Sequence, residues 1–416
     1  MDLIPADMIQ AIEVNKAVTP DMDGDALGAS INLVTRTAPE GFRLSATLGT
    51  GISFITEEPN YIGSLVLGDR SKNGKFGWMV SASIYDNNFG SDNIEAEWND
   101  EFEYFDGSDV VEADVNPYTD VTETRTYLIQ RVRRSFSANF DYSFNPNNSI
   151  YLKSMYNWRD DRENRYVLAQ EILDAEDIGI GDFFIDDENN LIRFPVEAAR
   201  ETKGGIDNNR NKNRRLEDQR MQNYTLGGDH LFGNLKFDWM GSYAKASEER
   251  LNERYAQYKT EYLVINNNTN PEFPFMSPVD EDFANDLSNF EFDEITEENQ
   301  YTEEEDINVF LNLEGQADWF NKGDGFWKVG LRGRFKNKIR DNNFFEFDLE
   351  EQFPTLADVP TKDLSDPDFL AGSRYQAGFY ADEGWLGALN LVNGEPVPDE
   401  FLRANYDVTE NVYAGI

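Results

Sequence analysis

The residues best spaced for metal chemistry are three aspartates at alternate positions, Asp21, Asp23 and Asp25. Their one-three-five spacing is that of a calcium-binding loop. The sixth position is Ala26 where such a loop needs glycine, and the twelfth is Asn32 where it needs a bidentate glutamate. The pattern therefore favours a structural turn, and no metal or other cofactor is expected.

This chain contains few residues suited to acid–base catalysis. His230 is the single histidine, there is no cysteine, and His230 comes just before a short turn at Phe232. Paired carboxylates about 5 to 10 Å apart can hydrolyse glycosides. With 79 Asp and Glu residues, however, such pairs arise without any catalytic purpose. The chain is not expected to be an enzyme.

Ligand binding has more candidates. Arg210, Arg214 and Arg215 form a basic cluster, and guanidinium groups suit carboxylate and phosphate ligands. The alternative is that these arginines only pair with neighbouring acidic segments. Aromatic side chains that can stack on a ligand, or instead pack the connecting segments together, are Trp98, Tyr104, Phe105, Tyr380 and Trp385.

Strands must position these residues, because an alternation of period two dominates beyond about residue 40. Apolar residues at even positions of 76–84 alternate with small or polar ones, and the same pattern recurs at 132–144, 150–158, 235–243, 307–313 and 327–335. The faces opposite the apolar residues carry Arg131 and Arg133 in one run and Lys328, Arg332 and Arg334 in another. Such a density of charge indicates a wet face.

Short and long connections take turns along the chain. Tight turns are predicted at 71–74, 145–148, 232–234 and 321–325 from their Asn, Gly and Pro residues. Long connecting loops are predicted near 87–123, 160–215, 248–304 and 348–405. Residues 86–123 hold 13 acidic and no basic residues, and 280–306 again hold 13 and none. Short turns at one end and long loops at the other are typical of membrane β-barrels.

Composition excludes several classes of protein. The net charge of −42 over 416 residues disfavours a nucleic-acid partner. The 39% of hydrophobic residues provide enough apolar surface for a folded chain. No segment approaches the roughly 18 uninterrupted apolar residues of a membrane-spanning helix, whereas a barrel strand needs only about 10 alternating ones.

Residues 1–38 form a small mixed unit with two β-like runs, at 9–16 and 29–35. Its motifs, DLIPADMI, IEVNK, TPDMDGDALG and INLVTR, follow one another in an order that resembles the last part of the plug domain of TonB-dependent outer-membrane receptors. The runs NYTLGGDH at 223–230 and TENVYA at 409–414 resemble barrel strands of that family. The residues that carry the plug resemblance are Ile12, Glu13, Val14, Lys16, Gly28, Asn32 and Arg36.

This resemblance implies a mainly β architecture. Residues 1–38 would be the C-terminal part of a small α+β plug, and residues 39–416 the N-terminal part of a transmembrane antiparallel β-barrel. About ten of the family's 22 strands are expected, with the chain truncated within a strand. The signal peptide and the TonB box would lie outside this sequence. One departure is Ala29, where the family commonly has a second glycine.

The implied function is that of a fragment of an active-transport receptor in the outer membrane of a Gram-negative bacterium. Such a receptor binds a scarce nutrient of the siderophore, cobalamin or oligosaccharide class and imports it with energy transmitted by TonB. The implied partners are TonB and its inner-membrane complex, outer-membrane lipid and lipopolysaccharide, and the small nutrient. Polar plug residues Glu13, Lys16 and Arg36 are expected to face charges of the barrel wall.

The rival hypothesis is a secreted or surface-bound acidic β-rich protein that binds or cleaves carbohydrate. It predicts a closed soluble core instead of an outward apolar band.

Overall fold

The computed structural model describes residues 8–16, 29–204, 215–267, 274–317, 325–348, 350, 354–358, 391–392, 395–396 and 407–415. In these residues the fold is mainly β, with one short α-helix. No helix among them is long and apolar enough to cross a membrane. The mainly β prediction is confirmed.

The strands, in chain order, are β1 Ile9–Asn15, β2 Ser30–Thr35, β3 Arg43–Ile52, β4 Pro59–Arg70, β5 Phe76–Phe105, β6 Val110–Asn145, β7 Asn148–Ile172, β8 Phe184–Ile185, β9 Leu191–Gly204, β10 Arg215–Phe232, β11 Leu235–Asn267, β12 Phe275–Pro278, β13 Glu291–Gln316, β14 Phe326–Asp348, β15 Leu391–Val392, β16 Glu395–Pro396 and β17 Asp407–Gly415. The helix α1 is Glu281–Asn285, and single 3-10 turns lie at Ala175–Asp177, Leu287–Asn289 and Leu356–Asp358.

Strands β1 and β2 pair antiparallel in a small sheet of their own, with Ile12 opposite Leu33 and Val14 opposite Ile31. These strands match the two β-like runs predicted in the first 38 residues. A connecting segment, residues 36–39, leads from β2 toward the large sheet.

The large sheet is antiparallel, and its main path is β3-β4-β5-β6-β7-β10-β11-β13-β14-β17. The path contains ten strands, and β8, β9 and β12 pair with strands of the same sheet outside this path. Along the described strands it is an open path with β3 and β17 at its edges, so closure into a barrel stays a prediction. The predicted turns at 71–74, 145–148 and 232–234 each join neighbouring strands of the path.

The long loops predicted near 87–123, 160–215 and 248–304 are largely wrong, because strands extend through much of each range. Strand β5 runs 30 residues and β6 runs 36, and they meet in a tight turn at 106–109. The turn is closed by Asp106, whose backbone N–H donates to the Asp109 carbonyl at 3.0 Å. Backbone pairing between β5 and β6 continues through this acidic stretch, although like charges such as Glu95 and Glu123 stand opposite each other. Arg125 forms ion pairs with both of these carboxylates.

Strands β9 and β10 occupy the same place in the sheet at different heights. Both lie between β7 and β11, with β10 nearer the short turns and β9 beyond it. The two lengths are joined through residues 205–214, which lie outside the described residues. The sheet thus has a near half, which ends at the short turns, and a distal half, which includes β9.

The main hydrophobic core lies in the distal half. Phe102, Phe194, Tyr258 and Phe290 are fully buried there, and short segments that include α1 and β12 pack with them. Phe102 contacts Phe183 edge-on with ring centroids 4.9 Å apart, and Phe194 contacts Tyr118 at 5.8 Å. We call this set of buried residues the distal core.

Candidate functional site

The near half of the sheet has one face that is apolar and exposed. The register aligns one row of this face across seven strands, and its members are Trp78, Phe140, Leu152, Leu226, Gly241, Val309 and Gly333. Exposure is high even for large side chains, reaching 68% for Leu331 and 69% for Phe335. We call this surface the apolar band.

Aromatic side chains border the apolar band on both sides. On β14 the band runs from Trp327 to Phe335, nine residues that span roughly 26 Å along a strand. The border toward the short turns includes Phe76, Tyr142, Phe232, Phe237 and Trp327, and the distal border includes Tyr61, Tyr156, Trp158, Tyr224 and Tyr243. A transmembrane strand needs about 9 to 11 residues and is flanked by aromatic girdles. The apolar band has nine residues along β14 and aromatic residues at both borders.

Ion pairs replace apolar residues just beyond the distal border. Asp160 accepts from Arg134 at 3.0 Å and lies 3.4 Å from Arg162. The next residue, Asp161, points to the opposite face because strand side chains alternate, and it pairs there with Arg131 at 2.6 Å and with Arg159. Both carboxylates are buried. Ion pairs therefore lie on both faces of the sheet at this height, which is where the apolar face becomes polar.

Guanidinium groups also cover the aromatic border here. The Arg134 guanidinium lies 4.5 Å from the centre of the Trp158 ring, and that of Arg220 lies 5.0 Å from it. Arg220 is held in turn by Asp218 at 2.6 Å. Cationic groups over an indole at the edge of an apolar surface suit a boundary between a low-dielectric medium and water.

The opposite face of the near half is polar, and the connecting segment 36–39 lies on it. The Asn139 side chain donates to the Arg36 carbonyl at 2.7 Å, and Arg70 donates to the Ala38 carbonyl at 3.3 Å. Gly77 permits this close approach, since a Cβ there would lie 2.6 Å from the Ala38 Cβ. The small sheet of β1 and β2 therefore joins the large sheet on its polar face, not on the apolar band.

A hollow of about 260 Å³ lies on this polar face, across β11, β13 and β14. Two rows of the register line it, Met240–Phe310–Arg332 and Ser242–Asn308–Arg334. The Arg332 guanidinium lies 5.2 Å from the centre of the Phe310 ring. The hollow thus combines two guanidinium groups, a hydroxyl and an amide with the apolar side chains of Phe310 and Met240.

Burial shifts the pKa values of two charged side chains in the distal half. Burial lowers the pKa of Arg200 to about 10; its guanidinium donates to the Ala284 carbonyl at 3.4 Å and lies 4.8 Å from the centre of the Phe290 ring. Burial, and then the neighbouring carboxylates Glu197 and Asp120, raises the pKa of Glu171. No cluster of three or more His, Asp or Glu side chains suited to a metal occurs in the part of the chain that the structure describes.

Of the plug residues predicted from the sequence, the structure brings Glu13 and Asn32 together. They are paired across β1 and β2, and the Asn32 amide donates to the Glu13 carboxylate at 3.0 Å. Ile12 and Val14 are exposed, as is Lys16. The Arg36 N–H donates to the Met8 carbonyl at 3.1 Å. Gly28 and the Asp21, Asp23 and Asp25 turn lie outside the described residues.

The predicted ligand-binding residues are not gathered in one place. Trp98 lies on β5 opposite Thr119 and is 43% exposed, while Tyr104 packs at 4.6 Å against Phe183 beside the distal core. Arg215 begins β10, where its backbone pairs with Glu163. Arg210, Arg214, Tyr380 and Trp385 lie outside the described residues.

Sequence reasoning missed the hollow, although Arg332 and Arg334 were recognised as wall charges. Alternation places both on the polar face, but only the register shows that Phe310 and Ser242 stand beside them. The small side chain of Ser242, on the same face as Met240, was the available signal. Small side chains between larger ones leave a depression in a sheet surface.

Comparisons with protein-family models, with curated proteins and with solved structures find no match for this chain.

Proposed function

We propose that this chain is part of an outer-membrane receptor of the TonB-dependent class, which takes up a small nutrient. The near half crosses the membrane with its apolar band toward lipid and its polar face toward the interior of the protein. Residues 1–38 belong to a plug on that interior side, and the distal half projects outside the cell.

The observation that carries this proposal is the apolar band. Soluble monomers rarely expose a contiguous apolar patch larger than a few hundred Å². Here nine strands, β3 to β7, β10, β11, β13 and β14, all present exposed apolar side chains on the same face. A lipid environment supplies the apolar contact that water cannot. The band also favours this function over a soluble carbohydrate-binding protein.

The face of the sheet on which the connecting segment lies is a second, independent support for the proposal. Hydrogen bonds from Asn139 and Arg70 hold residues 36–39 on the polar face. A plug inside a barrel must enter from that side, because the other side is occupied by lipid. The position of the segment therefore agrees with the order of plug and wall that the sequence motifs predict.

Adjacent residues of β14 allow a direct test of membrane insertion. Val329 is 64% exposed on the apolar face, and its neighbour Lys328 is exposed on the polar face. The chain has no cysteine, so Val329→Cys and Lys328→Cys each provide one site for an environment-sensitive fluorophore.

We expect the label at Val329→Cys, in lipid vesicles, to be quenched by lipids that carry a brominated acyl chain. The label at Lys328→Cys should instead be quenched by iodide in the water phase. Equal quenching of both labels by iodide, together with a monomer that stays soluble without detergent, would refute the membrane assignment.

The receptor assignment has its own test in the source genome. We expect the codons upstream to encode a signal peptide and the first part of a plug, and those downstream to encode about a dozen further strands ending in an aromatic residue. An open reading frame closed by stop codons at both ends of this segment would refute transport as its function.

A further inference from the structure

Strand β5 has one side that is open over part of its length. On that side β4 pairs with β5 only as far as Tyr61 opposite Asp86, and Gly179 forms a bridge with Phe105 near the distal end. Between these two points the described residues provide no strand partner on that side, whereas β6 pairs with the other side. We call residues 91–97, where the pairing with β6 is regular, the open edge.

A hydrogen bond near β4 shows which backbone groups reach the open side. The Asn88 backbone N–H donates to the Asn60 side chain at 2.5 Å. Since the backbone groups of successive strand residues alternate in direction, the N–H groups of Asp92, Ile94 and Ala96 point to the same side as that of Asn88. The open edge therefore presents a row of backbone donors and acceptors to an added strand.

The open edge is held in place before any partner arrives. Phe102, on the same strand, is fully buried in the distal core, and Arg125 of β6 forms an ion pair with Glu95. At the distal end of β5, the Phe105 N–H donates to the Ile178 carbonyl at 2.9 Å, so the strand already accepts one further segment of the chain. A fixed edge lowers the entropy that binding must overcome.

The side chains of the open edge differ between its two faces. Glu95 and Glu97 are exposed on one face, while Ile94, which is 39% exposed, and Ala96 lie on the other. A second copy of this edge would place like charges opposite each other, which is unfavourable. A partner strand that is cationic on one face and apolar on the other matches both faces.

We infer that the open edge binds an extended peptide in which Lys or Arg residues alternate with apolar residues, and that this peptide adds as a strand beside β5. In this mode of binding, backbone hydrogen bonds supply affinity and alternate side chains supply specificity. The inference is independent of the membrane assignment, because the open edge lies in the distal half, beyond the apolar band. Failure of one therefore leaves the other intact.

The test is a calorimetric titration of the full chain, in a non-ionic detergent, with a seven-residue peptide of alternating lysine and valine whose ends are blocked. The comparison peptide has proline in place of valine, so it keeps the charge but lacks every second backbone N–H. We expect the valine peptide to bind at least about tenfold more tightly, a difference of about 1.4 kcal/mol. Hydrogen exchange within residues 91–97 should slow with the valine peptide alone.

Two pairs of variants locate the binding. Ala96→Pro removes one N–H of the open side without a change of charge and should weaken binding of the valine peptide about tenfold, whereas Ala96→Val keeps the N–H and should change the affinity less than about twofold. Glu97→Lys should also weaken binding about tenfold. Its control is Glu188→Lys, the same change of charge at an exposed position between β8 and β9, which should change the affinity less than about twofold.

Circular dichroism and hydrogen exchange establish that each variant is folded before its affinity is compared; if Ala96→Pro does not fold, Glu97→Lys and its control decide. Equal binding of the two peptides, or exchange within residues 91–97 that the valine peptide does not slow, overturns the inference. So do unchanged binding in folded Ala96→Pro, equal losses in Glu97→Lys and Glu188→Lys, and a dimer of the chain that protects residues 91–97 without any peptide.

Discussion

Phe194 is the residue whose truncation should most clearly reveal the distal core as a unit of stability. Its side chain is fully buried, its ring lies 5.8 Å from that of Tyr118, and its backbone pairs with Val264 of β11. Removing a buried phenylalanine side chain costs about 3 to 5 kcal/mol, the lost transfer free energy plus the cavity that remains. We therefore expect Phe194→Ala to destabilise the distal half by about 4 kcal/mol.

The matched control is Phe184→Ala. Phe184 lies on β8, opposite Arg193 of β9, but is 53% exposed. About half of its surface is already in water, so its truncation should cost only about 1 kcal/mol. The same residue type is thus removed ten positions away, in the same part of the sheet, with a much smaller expected effect.

Hydrogen exchange resolved by mass spectrometry is the suitable assay, because it measures the opening of each segment separately. A loss of about 4 kcal/mol should speed exchange in β9 and in the distal part of β11 roughly 10²- to 10³-fold. Exchange in the near part of β7 should stay unchanged. Acceleration below about tenfold, or an equal effect of Phe184→Ala, would show that Phe194 does not anchor a distal core.

Two further predictions concern the connecting segment and the buried arginine. Gly77→Val should displace residues 36–39, because its Cβ would lie 2.6 Å from the Ala38 Cβ. In that variant, a cysteine introduced at Ala38 should react faster with a maleimide. The control is Gly41→Val, whose Cβ would meet nothing within 4 Å and which should leave the reaction rate unchanged. Burial lowers the pKa of Arg200 from an ordinary value of 12.5 to about 10. Below about pH 10 the buried charge therefore lowers the free energy of unfolding by about 3 kcal/mol. This loss of stability becomes smaller as the pH rises above that value. Arg200→Met removes this pH-dependent cost together with the contacts with Ala284 and Phe290. As the pH rises toward 11, the urea midpoint of the original chain should therefore rise relative to that of the variant; a difference between the two midpoints that is independent of pH would contradict this.

The near half was predictable because its signals are local. Alternation from Phe76 to Ile84 and tight turns such as Ser71–Gly74 depend on residues a few positions apart. In that turn Gly74 adopts a positive φ of 72° and its N–H donates to the Ser71 carbonyl at 2.7 Å. These features need no knowledge of distant parts of the chain.

The distal half was not predictable in the same way. Residues such as Glu97 and Glu101 suggest a loop when the chain is considered by itself, yet they lie within β5, paired with β6. The burial of Arg200 depends on Phe290 and Ala284, about 80 to 90 residues later. Strand propensity reflects cross-strand neighbours more than the residue itself, so the hollow and the distal core had to come from the register.

Side chains on one face of β7 lie in two different environments along the strand. Leu152, Trp158, Tyr166 and Leu168 all occupy even positions, so they point to the same face of the sheet. Leu152 is exposed in the apolar band, whereas Tyr166 and Leu168 are buried in the distal half. Asp160, also at an even position, separates the two with its arginine pairs.

This arrangement explains why the apolar band does not continue into the distal half of the sheet. Short segments that include α1 and β12 pack with the distal core, whereas the near half has exposed apolar side chains on that face. The ion pairs of Asp160 lie between the exposed Leu152 and the buried Tyr166 on this face. If the apolar band meets lipid, the membrane boundary must lie at this height, because buried charges in hydrocarbon are costly and an exposed band in water is unstable.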